Sequence, residues 1–256
     1  MFIRAKIRRV IYAEWYPQPI QLHPLTTLLW SSPKEKNVAF RFEKSGVTEQ
    51  FLAHSCLLEW QCPFLYSLYL RVKANAKEEG SNATVEIPIP DTAPEAFDFV
   101  LKYIYAVDNE PSFHSQSFAL DVLEAADRFE IKGLKLLAES SLTYKFLCVE
   151  NAAFLLLFSD SKNCPLLKEA ALRLGAANRT EFVGTEAFGE LKKSNDLLVE
   201  LFLTESKTTK VDESVLRLRE ALECDGLEVD GSQATLIKRL EHHKENTEGS
   251  CPSVSE

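Results

Sequence analysis

The 256-residue chain is 45% hydrophobic and 26% charged, a balance typical of globular proteins rather than disordered ones. Its longest unbroken apolar run, Ala152 to Phe158, has seven residues, far short of the roughly 20 needed to cross a bilayer, so no membrane-spanning role is expected. The net charge of −9 disfavours non-specific binding to nucleic acid, and the nine glycines do not cluster into a phosphate-binding loop.

The cysteines are scattered along the chain without a Cys-x-x-Cys motif, which predicts reduced thiols in a cytosolic or nuclear protein. No set of residues follows the nucleophile, base and orienting-group pattern of an enzyme, so we expect binding rather than catalysis and no cofactor. The adjacent His242 and His243 lack further ligands at metal-binding spacing, so no metal site is predicted.

Residues 1–34 are left unassigned. Ile3, Ala5 and Ile7 alternate with basic residues, as in a β-strand. The basic start also allows an organellar transit peptide, but the alternation favours the strand.

From residue 35 the pattern is clearer. Segments 38–42 and 47–53 alternate apolar and polar residues around the turn-prone Lys44-Ser45-Gly46, which predicts a β-hairpin. One helix follows and stops before Pro63, a second begins at Pro63, and residues 84–89 form a third strand. Apolar residues at spacings of three and four then predict three helices, within residues 94–105, 118–129 and 134–142.

From Val149 onward the sequence predicts helices only, in segments 149–159, 165–177 and 194–203. Residues 204–210 have no large apolar side chain and are interpreted as a linker. A helix–turn–helix pattern occupies residues 211–243, where Gly226 ends the first helix and Ser232 caps the second. Residues 244–256 are expected to be a disordered tail.

Several short motifs occur in a fixed order between residues 35 and 145. They are Val38-Ala39-Phe40, the run from Phe51 to Leu58, Cys62-Pro63-Phe64, Val85-Glu86-Ile87, Pro94-x-x-Phe97, Leu101-x-Tyr103-Ile104-Tyr105, and Leu123-x-Ala125-Ala126-Asp127-Arg128-Phe129. This ordered set resembles a BTB/POZ domain. The resemblance implies an α+β fold, in which a small sheet is surrounded by helices.

Residues 146–203 are similar to the α-helical BACK extension that often follows such domains, with Glu150-Asn151 and Phe188-x-x-Leu191 at matching places. Residues 211–243 resemble a SAP motif, a helix pair associated with DNA or chromatin. That likeness places nucleic-acid contacts at Gln233, Lys238 and Arg239. However, Asp225 and Gln233 stand where the family usually has basic residues. Residues 211–243 also contain eight acidic residues and four basic ones, which argues against DNA binding.

The BTB resemblance also implies a homodimer, with an interface that includes Phe51, His54, Leu57 and Trp60. For His54, the residues alone favour a buried, hydrogen-bonded histidine over a catalytic base, because no acidic or nucleophilic partner is suitably spaced.

In cullin-binding BTB proteins, a loop triplet of hydrophobic-x-Glu contacts the cullin scaffold, and Ala76-Lys77-Glu78 stands at that place. The resemblance therefore places a cullin contact at Tyr66, Tyr69, Ala76 and Glu78. Ala76 is smaller than the usual first residue of the triplet and buries less apolar area, so a plain solvated loop remains the alternative.

These features predict an adaptor that dimerises and recruits a protein substrate to a cullin-based ubiquitin ligase. The alternative is a nuclear scaffold or transcriptional co-regulator that uses the SAP-like module at chromatin.

Overall fold

The computed structural model describes residues 14–18, 24–32, 35–44, 47–75, 84–107, 112–206 and 214–248. Contacts between residues divide the chain into two units. The first, called the sheet unit below, is Pro17–Ala138. The second, called the helical unit, contains the residues from Glu139 onward together with Glu14, Trp15 and Tyr16.

The described residues of the sheet unit form three strands: β1 (Val38–Lys44), β2 (Val47–Ala53) and β3 (Val85–Pro88). Their order is β2-β1-β3, with β1 antiparallel to β2 and parallel to β3. The predicted hairpin is confirmed. Its alternation places Phe40 and Phe42 on the buried face of β1, where they are 0% and 2% exposed.

Helices accompany this sheet, six of them within the ranges described up to Ser141, so the predicted α+β class is confirmed. They are α1 (Pro24–Ser31), α2 (Ser55–Gln61), α3 (Pro63–Asn75), α4 (Pro94–Ile104), α5 (Gln116–Arg128) and α6 (Lys132–Ser141). The residues of α6 from Glu139 onward belong to the helical unit. Helix α1 was not predicted, and lies in the stretch left unassigned. Its proline stands at the first position, where no backbone donor is needed.

Phe97 of α4 is the centre of the core of the sheet unit. Its ring centroid lies 4.9 Å from those of Phe40 and Phe42, and 5.5 Å from that of Phe129. The predicted apolar face of α4 is confirmed, because Phe97, Val100, Leu101 and Ile104 are all at most 4% exposed. β1, α4 and the residue that follows α5 are therefore joined through one aromatic cluster.

The helical unit continues from α6 through a π-helical turn, Leu142–Phe146. Its helices are α7 (Val149–Ser161), α8 (Pro165–Ala177), α9 (Arg179–Val183), α10 (Phe188–Leu191), α11 (Asn195–Ser206), α12 (Val215–Cys224) and α13 (Gln233–Glu248). The core combines small and large apolar side chains of α7 to α11, among them Ala153, Leu156, Ala171, Phe182 and Leu191. Where the structure describes this region (149–206 and 214–248), the regular elements are helices, as predicted, and α9 and α10 are additional.

The predicted turn between the last two helices has the expected signals. Gly226 follows α12 with φ of +68°, a left-handed conformation that favours glycine. Ser232 Oγ accepts a hydrogen bond from the Thr235 N–H at 3.3 Å and so caps α13.

Two predicted boundaries differ from the structure. Residues 204–206, assigned to the linker, are the last turn of α11, and residues 244–248, assigned to the tail, are helical. The good helix formers Lys244 and Glu245 extend α13 beyond its last apolar residue. The remainder of both segments, and the predicted strand around Ile3 and Ile7, lie outside the described residues.

Candidate protein-interaction surfaces

Helix α2 presents a large apolar side chain to solvent. Leu57 and Leu58 are buried, whereas Trp60 is 83% exposed. The start of the helix is fixed by Asn37, whose Oδ1 accepts from the Ser55 N–H and whose Nδ2 donates to Ser55 Oγ, both at 2.9 Å. A rigidly held helix with an exposed tryptophan is suited to contact another protein, because such rings dominate the energetics of many interfaces.

The other three residues predicted for the dimer interface are less accessible than Trp60. The half-buried Phe51 has its ring against Phe42 and Phe97, at centroid distances of 5.5 and 6.0 Å. Leu57 and His54 are 9% and 2% exposed. Of the predicted set, the structure therefore leaves Trp60 as the side chain positioned to reach a partner.

His54 is held inside the sheet unit by Tyr105. The Tyr105 hydroxyl accepts a hydrogen bond from the His54 N–H at 2.9 Å and lies 2.8 Å from His54 Nδ1. Burial raises the pKa of Tyr105 to about 12, so this phenol stays protonated at neutral pH. The interpretation of His54 as a buried, hydrogen-bonded residue is confirmed.

Helix α3 carries the described part of the predicted cullin contact. The rings of Tyr66 and Tyr69 stack with centroids 5.9 Å apart. Tyr69 is 5% exposed, and its hydroxyl accepts from Lys73 Nζ at 3.1 Å. Its ring is therefore part of the core, and the half-buried Tyr66 is the more accessible of the two. Ala76 and Glu78 lie outside the described residues, so their predicted contact stays a prediction.

The C-terminal helix pair offers few basic groups for nucleic acid. The Arg239 guanidinium donates to the carbonyl oxygens of Glu228 and Asp230, and so holds the turn before α13. Arg217 Nη1 pairs with Glu220 at 2.9 Å. Lys238 is exposed, and Gln233 is half-buried. Because Arg239 Nη1 already binds the protein's own backbone, it is less available to nucleic acid, and the contacts predicted at Gln233, Lys238 and Arg239 stay predictions.

The fourth basic residue of this region, Arg219, is 1% exposed. Its Nη2 donates to Glu139 Oε2 at 2.7 Å, and its guanidinium carbon lies 4.9 Å from the Trp15 ring centroid. Glu139 Oε1 in turn accepts from the N–H groups of Leu166 and Leu167, at the start of α8, at 2.8 and 3.3 Å. This buried group, called the Arg219 cluster below, anchors α12 within the helical unit.

Two further contacts join α12 to its neighbours. The Val215 N–H donates to Glu169 Oε2 of α8 at 2.8 Å, and Trp15 Nε1 donates to Glu223 Oε2 at 3.1 Å. The sequence predicted a separate helix pair after a linker. The structure instead packs α12 against α8 and Trp15, through partners far away in the sequence.

Within the described residues, no group of three or more His, Cys, Asp or Glu side chains is arranged to hold a metal ion. No helix in that part of the chain is long and apolar enough to span a membrane.

Sequence reasoning missed two features, helix α1 with its exposed Leu28 and the buried Arg219 cluster. Leu28 of α1 is 67% exposed, and the neighbouring Trp30 packs edge-on against Tyr105 at 5.2 Å. The start signal at Pro24 and the apolar spacing of Leu25, Leu28 and Leu29 could have revealed this helix. The Arg219 cluster had no comparable signal in the sequence.

Comparison with known families decides the identity of the first part of the chain. The sequence model described as "BTB/POZ domain" matches residues 30–146. Residues 30–146 form a BTB/POZ domain. This BTB/POZ domain includes the sheet, the helices α2 to α6 and the exposed Trp60.

Curated relatives match part of this chain. Mouse TD and POZ domain-containing protein 3 is 31% identical over 150 residues, which cover 59% of this chain and 39% of the relative. Mouse TD and POZ domain-containing protein 2 is 34% identical over 106 residues, covering 41% and 29%. BTB/POZ and MATH domain-containing protein 4 of Arabidopsis thaliana is 29% identical over 165 residues, covering 59% and 33%.

The chain thus spans less than half the length of these relatives. The BACK-like and SAP-like interpretations stay predictions.

Proposed function

We propose that the protein is a non-catalytic adaptor that self-associates through its BTB/POZ domain and brings a bound protein to a cullin scaffold in the cytosol or nucleus. The single observation that carries self-association is Trp60, 83% exposed on a helix whose other face is buried. Leu28 of α1, 67% exposed, adds a second apolar side chain on the same unit. Tryptophan is enriched at protein interfaces and is a frequent anchor of their binding energy, so an exposed ring on a fixed helix supports a contact with a second chain.

The test is the mass of the full chain in solution, measured by sedimentation equilibrium. We expect wild type to have twice the mass of one chain, and Trp60→Glu to weaken association at least about tenfold, because a carboxylate cannot be buried without a partner. Phe202→Glu is the matched control, since Phe202 is also aromatic and 65% exposed but belongs to the helical unit. Dissociation by Phe202→Glu with retention in Trp60→Glu would contradict the proposal.

The cullin part of the proposal rests on the resemblance of Ala76-Lys77-Glu78 to the hydrophobic-x-Glu triplet of cullin-binding relatives. Tyr66, half-buried on α3, supports it as an aromatic ring on the helix that leads to this triplet. The short side chain of Ala76 is expected to give a weak contact, because a methyl group buries far less apolar area than a phenylalanine.

Because the expected contact is weak, one substitution can increase the affinity for a cullin and another can decrease it. Ala76→Phe should strengthen binding of the full chain to an immobilised cullin N-terminal fragment, and Glu78→Lys should abolish it. Glu79→Lys makes the same charge change one residue away and should leave affinity within about twofold. Lack of saturable binding by wild type and by Ala76→Phe would refute cullin recruitment, and would leave self-association to its own test.

A chromatin role is not proposed for the C-terminal helix pair. Arg219 is buried and Arg239 holds the protein's own backbone, so two of the four basic residues in this region are already used. A gel shift of the full chain with duplex DNA at low salt should show no retarded band. A specific, salt-sensitive band lost in Lys238→Ala would restore the alternative.

A further inference from the structure

An open groove of about 380 Å³ lies beside β2, on the side of the sheet that faces α4. Glu49 and Phe51 line it from β2, Glu95, Asp98 and Phe99 from α4, and His114 from the segment before α5. We call it the β2 groove. All these residues belong to the sheet unit, and none is near the Ala76–Glu78 segment in sequence.

The backbone beside the groove is an open strand edge. Because the sheet order is β2-β1-β3, β2 pairs with β1 along one side and has no strand partner on its other side among the described residues. Such an edge carries a row of N–H and C=O groups that an extended segment from another protein can pair with.

The floor of the groove is aromatic. The Phe99 ring lies edge-on to Phe118 at 5.4 Å, and the His114 ring stacks on Phe118 at 4.3 Å. Phe51 and Phe99 are half-buried, so part of each ring still faces the groove. Aromatic faces of this kind accept the aliphatic stem and the cationic end of a lysine or arginine side chain.

The rim of the groove is acidic. Lys102 pairs with Asp98 at 2.7 Å, which compensates one carboxylate. Glu49 and Glu95 are both exposed, and neither has an ion-pair partner within the described part of the chain. The groove therefore carries negative charge that a basic partner would complement.

We infer that the β2 groove binds an extended, basic segment of a partner protein, which adds to the sheet as a strand next to β2. Side chains of a strand alternate between its two faces, so every second residue of the added strand lies on the face of Glu49 and Phe51. Basic residues are expected at those positions. The intervening residues lie on the face of Leu52, which is 42% exposed.

This inference adds a partner surface to the proposed function and does not depend on it. Self-association through Trp60 and cullin binding can both fail while the groove binds its peptide. Trp60→Glu serves to keep the two apart, because it should leave affinity for a basic peptide unchanged.

The first experiment measures fluorescence polarisation of a labelled nine-residue peptide of alternating Lys and Thr, titrated with the full chain. We expect saturable binding that Glu49→Lys/Glu95→Lys weakens by at least about tenfold. Glu181→Lys/Glu186→Lys makes the same charge change at exposed positions of the helical unit, and should preserve the affinity within about threefold. No binding by wild type, or an equal loss in both double variants, would overturn the inference.

A second experiment separates strand pairing from simple charge attraction. The N–H groups of alternate residues in a strand point toward opposite edges, so only one set can pair with β2. Two peptides are compared, one N-methylated at every Lys and the other at every Thr. One should lose at least about tenfold in affinity while the other keeps it. Equal affinities of the two, strong or weak, would overturn strand addition.

Discussion

The largest fully buried side chain of the helical unit is an arginine, whereas those of the sheet unit are aromatic rings. In the sheet unit, Phe97 contacts the rings of Phe40, Phe42, Phe51 and Phe129. These contacts are favourable in many orientations, because the hydrophobic effect depends mainly on the apolar area removed from water. Such a core is stable as long as its volume is filled.

The helical unit depends on contacts with defined directions. The Glu139 carboxylate accepts two N–H groups at the start of α8 and pairs with Arg219, which offsets part of the cost of burying both charges. Nε and Nη1 of Arg219 are buried with no hydrogen-bond partner among the described residues. The guanidinium lies against the Trp15 ring, and this cation–π contact offsets part of the cost of burying them. The sheet unit is therefore stabilised mainly by filled apolar volume, whereas the helical unit adds to its own apolar core a buried site that requires matched charges.

The largest expected effect comes from removing one charge of the Arg219 cluster. Arg219→Met leaves Glu139 buried without its cation, and should lower the free energy of unfolding of the helical unit by about 3–5 kcal/mol. Hydrogen exchange of the full chain, followed in peptides of α8 and α12, measures the loss. Peptides of β1 and β2 in the same experiment report on the sheet unit.

A second variant keeps this prediction testable if the first unfolds. Arg219→Met/Glu139→Gln removes both charges, while the amide oxygen still accepts from the Leu166 and Leu167 N–H groups. Most of the lost protection should return. Wild-type protection in Arg219→Met, or no recovery in the double variant, would show that charge matching does not stabilise this unit.

A smaller effect is expected in the aromatic core. Phe97→Leu removes apolar area and leaves a partly collapsed cavity, which should cost about 2–3 kcal/mol in the sheet unit. The control is Phe154→Leu, because Phe154 is 43% exposed and should cost less than about 1 kcal/mol. Hydrogen exchange of β1 and α4 measures the first change, and α7 the second. Equal losses would mean that the ring cluster is no more important than a surface ring.

The two units also differ in how far the sequence predicted them. The hairpin and the apolar face of α4 follow from local alternation and from spacings of three and four, which report directly on burial. The cluster around Arg219 could not be predicted in this way. Its partner Glu139 is 80 positions away, and a basic residue on a helix looks the same in the sequence whether it is buried or exposed.

The candidate surfaces show the same limit. The resemblance to BTB/POZ proteins pointed to α2, and Trp60 is indeed exposed there. The same resemblance included His54, which the hydroxyl of Tyr105 holds in the interior. The likeness to SAP motifs pointed to Arg239, yet its guanidinium binds backbone carbonyls that only the folded turn brings near. The sequence could therefore select candidate residues, but it could not predict which groups those residues contact in the folded chain.

A third prediction tests both units at high pH. Burial raises the pKa of Tyr105 in the sheet unit and of Tyr144 in the helical unit from 10 to about 12. The native state then holds protons that the unfolded state releases, so stability is complete below pH 10 and is lost as pH rises through 12. Absorbance of the phenolate and far-ultraviolet circular dichroism, recorded from pH 8 to 12, should show these tyrosines ionising only as the fold is lost.

Replacing one tyrosine at a time shows how much of the stability lost at high pH comes from each unit. Tyr105→Phe should reduce the alkaline sensitivity of β1 and α2 alone, at a cost near neutral pH of about 1 kcal/mol for the lost bonds to His54. Tyr144→Phe should likewise reduce the alkaline sensitivity of hydrogen exchange in α8. If the folded chain shows a phenolate signal near pH 10 that Tyr105→Phe or Tyr144→Phe removes, the assignment of burial as the cause is contradicted.

The smallest effect is expected from an exposed ion pair whose nitrogen–oxygen distance equals that of the buried one. Lys193 and Glu190 are 2.7 Å apart, as are Arg219 and Glu139, but their side chains are 72% and 67% exposed instead of 1% and 2%. In water both charges keep most of their hydration, so Glu190→Gln should change the free energy of unfolding by less than about 0.5 kcal/mol. Chemical denaturation and hydrogen exchange of α10 provide the measurement. A loss above about 1 kcal/mol would mean that contact distance, and not burial, sets the value of an ion pair in this unit.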